Sequence, residues 1–256
     1  MLRLISALLV SVVVGVLGAS GAAQGGAPSE KGSSASIAKT GTAAATESPA
    51  SKDCWSLARL KYGGGGDWYA GPSMLVNLSK RLRSDLGLPV CAEEHVVGLL
   101  DGNLYAHPVL FMTGHGNVAF SEEERRVLRE YLLRGGLLFA DDNYGLDSSF
   151  RREMKALFPN HSLSAMGNGH PVFSSFHRFP SGLPKVHQHD GKRATAYGIA
   201  VDGRTVVFYS YESDLGNGWE DPDVHKDPAE VREQALRMGV NVIAWYLQGA
   251  RSGAVP

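Results

Sequence analysis

"PVLFMTG", residues 108–114, and "LLFADD", residues 137–142, decide the fold. Each is a continuous apolar run that turns polar or glycine-rich only at its end, as expected of a strand buried on both faces of a sheet. Between them, Ser121 followed by Glu122, Glu123 and Glu124 opens a helix with a capping box. Val127, Leu128, Tyr131 and Leu132 continue that helix, and Gly135-Gly136 ends it. Buried strand, helix and buried strand in succession predict a central parallel unit.

The pattern extends in both directions. Upstream, "WSLARLKY" (55–62) reads as a strand that stops at four glycines. Pro72, apolar positions Met74, Leu75, Leu78, Leu82 and Leu86, and an exit at Gly87 then mark a helix, and "HVVGLL" (95–100) is a further short strand. Downstream, "SSFRREMKALF" (148–158) is a short helix closed by Pro159. Residues 160–193 carry little period and read as a long surface-crossing loop with one helical turn near Pro171. "ATAYGIAVDGRTVVFYSYES" (194–213) is a hairpin turning at Asp202-Gly203, and a last helix spans about 229–246. The fold class is α/β: a doubly wound, mostly parallel sheet with a C-terminal hairpin and helix.

The chain has 256 residues and a net charge of −1, enough for one well-cored domain and without the basic bias of a nucleic-acid binder. Residues 1–23, with Arg3 before an apolar stretch and small residues after it, read as a secretory signal. No cysteine follows that stretch, which argues against a lipid anchor, and membrane contact would come only through an uncleaved signal. Residues 24–52, rich in Gly, Ala, Ser and Thr, read as a disordered tether, 53–249 as the folded domain and 250–256 as a tail. The expected location is the periplasm or cell envelope. There Cys54 and Cys91 could form a disulfide, and two separate buried thiols are the alternative.

In an open α/β sheet, ligands bind beyond the carboxyl ends of the strands, where helix N-termini present unpaired amides. The residues that follow the strands are therefore the candidate site. After the first come Gly63, Gly64, Gly65, Gly66, Asp67 and Trp68; after "PVLFMTG" comes His115; after "LLFADD", Asp141 and Asp142; after the hairpin, Glu212 and Asp214. The glycines could bring backbone amides close to a bound anion or carbonyl, or simply make a tight turn. They do not form a nucleotide fingerprint. His115 sits between glycines, and His187 and His189 are two apart, so these three imidazoles with nearby carboxylates could hold a divalent metal such as zinc. A hydrogen-bonded polar network is the alternative. His115 and Asp142 are the first candidates for acid/base chemistry, although Asp141 or Asp142 could instead cap the next helix. Trp219 could be a stacking platform or a buried anchor.

The strings "RLKYGGGGDWY", "FMTGHGNVAFSEEE", "GGLLFADDNYG", "GLPKVHQHDGK" and "FYSYESDLGNGWEDPDVHKDP" resemble the bacterial domain-of-unknown-function family 4159 over about residues 55–247. The resemblance implies a fold similar to the class I glutamine amidotransferases, and no established reaction. The chain departs from those enzymes where they carry a nucleophilic cysteine: the comparable turn, "FADDNYG", has Asp141, Asp142 and Asn143. The reading is an exported amidotransferase-like protein that binds a small polar ligand or serves as an accessory cell-envelope factor. The alternatives are a metal- or carboxylate-dependent hydrolase of a sugar or amide, and a scaffold for a cell-envelope protein using Trp68, Tyr69 and Trp219. Whether it is an enzyme stays open, because the residues name no complete catalytic set.

Overall fold

At the centre of the sheet, β3 (Val109–Met112) and β4 (Leu137–Asp141) run parallel, pairing Val109 with Leu137 through Met112 with Ala140. Both strands are buried along their whole length, as their unbroken apolar sequence requires. The computed structural model describes residues 54–252. The proposed signal, the tether and the last four residues lie outside the described residues.

Among the described residues the sheet has seven strands in the order β2-β1-β3-β4-β7-β6-β5. Around the central pair stand β1 (Leu57–Lys61), β2 (His95–Gly98), β7 (Arg204–Tyr211), β6 (Thr195–Val201) and β5 (Ser164–Ala165). The first five strands of that order are parallel, and β6 and β5 extend them through antiparallel pairs. The chain leaves β1 outward to β2 and then returns to the other side of β1 as β3. The direction of winding therefore reverses between β1 and β3, the position at which such sheets bind ligands.

Helices cover both faces. On one, α1 (Met74–Leu86) and α6 (Ala229–Ser252) pack Leu75, Leu78, Met238 and Ile243 against Phe111, Phe139 and Phe208. On the other, α2 (Glu122–Leu133) and α3 (Asp147–Leu157) bring Leu128, Phe150 and Met154 to Met112, Leu138 and Tyr209. The capping box at Ser121 is complete, and Gly87 closes α1 with left-handed backbone. The hairpin turn places both Asp202 (φ 49) and Gly203 (φ 78) at positive φ, as two-residue turns of this kind require.

Several details differ from the sequence expectations. The 160–193 segment contributes an unexpected edge strand, β5, while the helical turn expected near Pro171 is present as a 3₁₀ turn at Pro171–Phe173. It is fixed by buried Asn241 of α6, whose side chain accepts from the His177 amide and donates to the carbonyls of Val172 and His177. Between the hairpin and the last helix, where no element was expected, residues 215–219 and 222–225 form the short helices α4 (Leu215–Trp219) and α5 (Pro222–His225). The last helix continues to Ser252, into the stretch expected as a tail. Cys54 and Cys91 form a disulfide, which settles the two alternatives in favour of pairing. Among the described residues no helix is long and apolar enough to cross a membrane.

Candidate functional site

The four glycines after β1 dock one loop onto another. Gly66 donates to the Asn117 carbonyl at 3.0 Å, Asp67 to the His115 carbonyl at 3.3 Å, and Ala119 to the Gly63 carbonyl at 2.9 Å. A methyl group on Gly64 would lie 2.6 Å from the Ala119 nitrogen, and one on Gly66 would lie 2.9 Å from the carbonyl oxygens of His115 and Asn117. The amides of Gly66 and Asp67 are thus taken up by the loop after β3, so of the two alternatives for the glycines this half of the run serves a turn that docks two loops. Gly64 (φ 104) and Gly65 (φ 90) stay exposed.

This docking places Asp67 beside His115. One carboxylate oxygen accepts the His115 backbone amide, and the other lies 2.9 Å from its Nδ1. Burial raises the Asp67 pKa, but the bonds from the His115 amide and ring outweigh it and hold the carboxyl below its ordinary range. The imidazole side chain is 52% exposed, and Nε2 has no partner among the described residues. Asp67 follows β1 and His115 follows β3, so the pair stands where the winding reverses. Trp68 is half-buried against the apolar layer, with the Lys61 ammonium over its ring.

The two acids after β4 have separate roles because successive strand residues face opposite sides. Asp141 is fully buried toward α1 and α4 and accepts from Ser210 Oγ and the amides of Leu215 and Gly216. Burial pushes its pKa up to about 7. Its carboxylate is thus taken up in holding the first turn of α4 from within, and the helix it serves is α4 and not the next helix of the chain that the capping alternative named. Asp142 faces the α3 side, accepts from the Leu146 and Tyr144 amides, and lies 3.1 Å from the Tyr209 hydroxyl. Burial raises its pKa to about 6.

Asp142 also lines a cavity of about 330 Å³ at the carboxyl ends of β4 and β7, with Tyr144, Ser148, Lys192, Tyr211 and Glu212. Glu212 is buried and paired with Lys185 at 3.2 Å, while Lys192 contacts Asp190 at 2.6 Å. Tyr144, Ser148, Lys192 and Tyr211 were not among the residues expected from sequence. Tyr144 was the most accessible of these, since it directly follows the strand-end acids in "DDNYG". Its φ of 83 is rare for an aromatic residue, and Glu212 (φ 58) and Asp214 (φ 57) are held at positive φ as well.

His187 and His189 converge on Asp214. Their Nδ1 and Nε2 atoms lie 3.1 and 2.6 Å from the same carboxylate oxygen, and the His187 Nε2 lies 3.1 Å from Asp227. The bond to Asp214 raises the His187 pKa against the effect of burial, with Asp227 adding to the rise. The His189 ring stacks on Tyr144 at 4.5 Å. His115 is instead turned onto Asp67, so the three imidazoles are not gathered as a metal centre. Among the described residues no group of three or more His, Cys, Asp or Glu side chains is arranged to hold a metal. The polar-network alternative describes His187 and His189. Trp219 is fully buried, touches Phe111 and Phe139, and donates to the Ala235 carbonyl at 2.8 Å. It is a core anchor and is available neither for stacking nor for a scaffold surface.

The whole edge is contiguous. Ser149 Oγ accepts the Val118 amide at 3.0 Å and donates to the Leu146 carbonyl at 2.9 Å, joining the His115 loop to the turn that lines the cavity. The class so defined is a doubly wound α/β protein with a polar edge. The two cysteines of the chain are joined to each other, so it has no thiol nucleophile. The family model described as domain of unknown function (DUF4159) matches residues 56–247, and the chain belongs to that family. No curated protein matches the chain.

Proposed function

We propose that the protein binds a small polar ligand at the carboxyl edge of its sheet, in the cavity walled by Tyr144, Tyr211, Lys192 and Glu212. One observation carries this reading: backbone strain is concentrated there. Of the five non-glycine residues at positive φ among the described residues, Tyr144, Glu212 and Asp214 come shortly after β4 and β7. Each such residue costs on the order of 1–3 kcal/mol, and strain of this kind clusters at ligand sites. Buried polar atoms support the reading as well. Thr113 Oγ1, Asn143 Oδ1 and Asp214 Oδ1, just past β3, β4 and β7, have no hydrogen-bond partner among the described residues. Carboxylates outnumber lysines on the wall, which favours a ligand rich in hydrogen-bond donors over an anion.

The kinship to class I glutamine amidotransferases belongs to this proposal, supported by the parallel order of β2-β1-β3-β4-β7 and limited to fold, since the thiol is absent. Export to the cell envelope is part of it too, supported by the Cys54–Cys91 disulfide, which persists in oxidising compartments. The test is a thermal-shift screen of polar metabolites on the intact chain beside Ser148→Trp, which fills the cavity from an exposed position. The reading expects a stabilising compound whose effect disappears in Ser148→Trp. Equal stabilisation of both proteins contradicts it.

A second reading, hydrolysis, is favoured by the Asp67–His115 pair. It adjoins the Asp142 turn, whose carboxyl is raised to about 6 and so retains a proton closer to neutrality.

A further inference from the structure

We propose that Asp67 and His115 form a proton-transfer dyad, with His115 Nε2 as the atom that accepts and returns the proton and Asp67 as the residue that positions it. The inference deepens the hydrolytic reading and depends on it for the reaction, but not for the geometry. Asp67 holds His115 at two points, through its backbone amide and through Nδ1 at 2.9 Å. Two contacts fix both the position and the tautomer of the ring: with Nδ1–H donating to the carboxylate, the lone pair resides on Nε2.

The mounting is specific. Methyl groups on Gly64, Gly66 and Gly114 would meet Ala119, Asn117 and Tyr62 at 2.6, 2.9 and 2.5 Å, so bare backbone is needed for the two loops to meet. The meeting point lies between β1 and β3, where the winding reverses. The ring is half exposed and its Nε2 has no partner among the described residues. A pair that served only to join the loops would have no need of the ring, because backbone bonds from Gly66, Asp67 and Ala119 already join them.

The chemistry follows from one imidazole base. Nε2 takes a proton from water while the water oxygen bonds to an acyl carbon, and the Asp67 carboxylate stabilises the imidazolium. As the carbon–nitrogen or carbon–oxygen bond breaks, the proton passes from Nε2 to the departing amine or alcohol, and the dyad returns to its starting state. A single imidazole suits an amide or ester. A glycoside would call for two carboxylates flanking the bond, an arrangement this pair does not supply.

The experiment is long-range ¹H–¹⁵N spectroscopy of the histidine-labelled intact chain, which reports the tautomer of each of the nine histidines. It is combined with mass-spectrometric rates of diethyl pyrocarbonate acylation at His115. The expected result is an Nδ1–H tautomer at His115 and rapid acylation, with Asp67→Asn mixing the tautomers and slowing acylation about tenfold. Asp67→Glu should recover part of both effects. An Nε2–H tautomer in the unmodified protein overturns the proposal and needs no variant to fold. Unchanged tautomer and rate in a folded Asp67→Asn also overturn it. Tautomer and acylation rate are read without turnover, so they test the dyad separately from the hydrolytic reading, which fails if the folded protein with the expected tautomer hydrolyses no amide or ester.

Discussion

A methyl group on Gly66 would press on two carbonyl oxygens and on the Tyr62 ring, all 2.9 Å away. Overpacking of this kind costs typically 1–3 kcal/mol. Gly66→Ala should therefore lower the denaturant midpoint by that order and loosen the His115 loop. Gly65→Ala, with open space around it and only its backbone strained, should cost less. Asp141 gives a second residue-scale test. Its folded-state pKa is raised to about 7, so its contribution to stability is fully present below about pH 4 and is lost as pH rises through about 7. In Asp141→Asn, melting temperature against pH should lose that part of its slope between pH 4 and 7, whatever the overall drop in stability. An unchanged slope would show that Asp141 titrates normally. The candidates at this scale were legible where a polar residue follows an apolar strand, as His115 and Asp142 do. Which face each acid takes was not, because Asp141 and Asp142 differ only in strand parity, and that shows once β4 has its neighbours.

At the scale of elements, legibility followed local signal strength. α2 could be read because its capping box is self-contained: Ser121 Oγ accepts the Glu124 amide at 3.2 Å and Glu124 accepts the Ser121 amide at 2.7 Å. Ser121→Ala should cost about 1 kcal/mol in unfolding free energy and leave ligand-induced stabilisation untouched, since neither Ser121 nor any α2 residue lines the cavity. β5 could not be read, being two exposed residues that pair only through β6. The sequence LGNGW of α4 is a poor helix former. It becomes helical through tertiary contacts: Asp141 accepts its first amides, and Gly218 lets the Ala235 side chain approach where a Cβ would stand 2.5 Å away. Nothing local in the chain announces such a helix.

At the scale of the whole molecule, the disulfide ties Cys54, just before β1, to Cys91, ahead of β2, across a separation of 37 residues. It constrains the unfolded chain, and replacing both cysteines by serine should cost about 2–4 kcal/mol, read from the urea midpoint of oxidised and reduced protein. Equal midpoints would contradict that role. The larger arrangement is one edge on which four parallel strands release their polar residues: Asp67, His115, Asp142 and Glu212. The loops that carry them are joined by backbone and side-chain bonds. The most direct measurement of its role is a crystallographic fragment soak of the protein. The account predicts polar fragments between Tyr144 and Tyr211 at the ends of β4 and β7. Fragments confined to the recesses beside Met166 and Phe173, or beside Pro184 and Glu230, would contradict it.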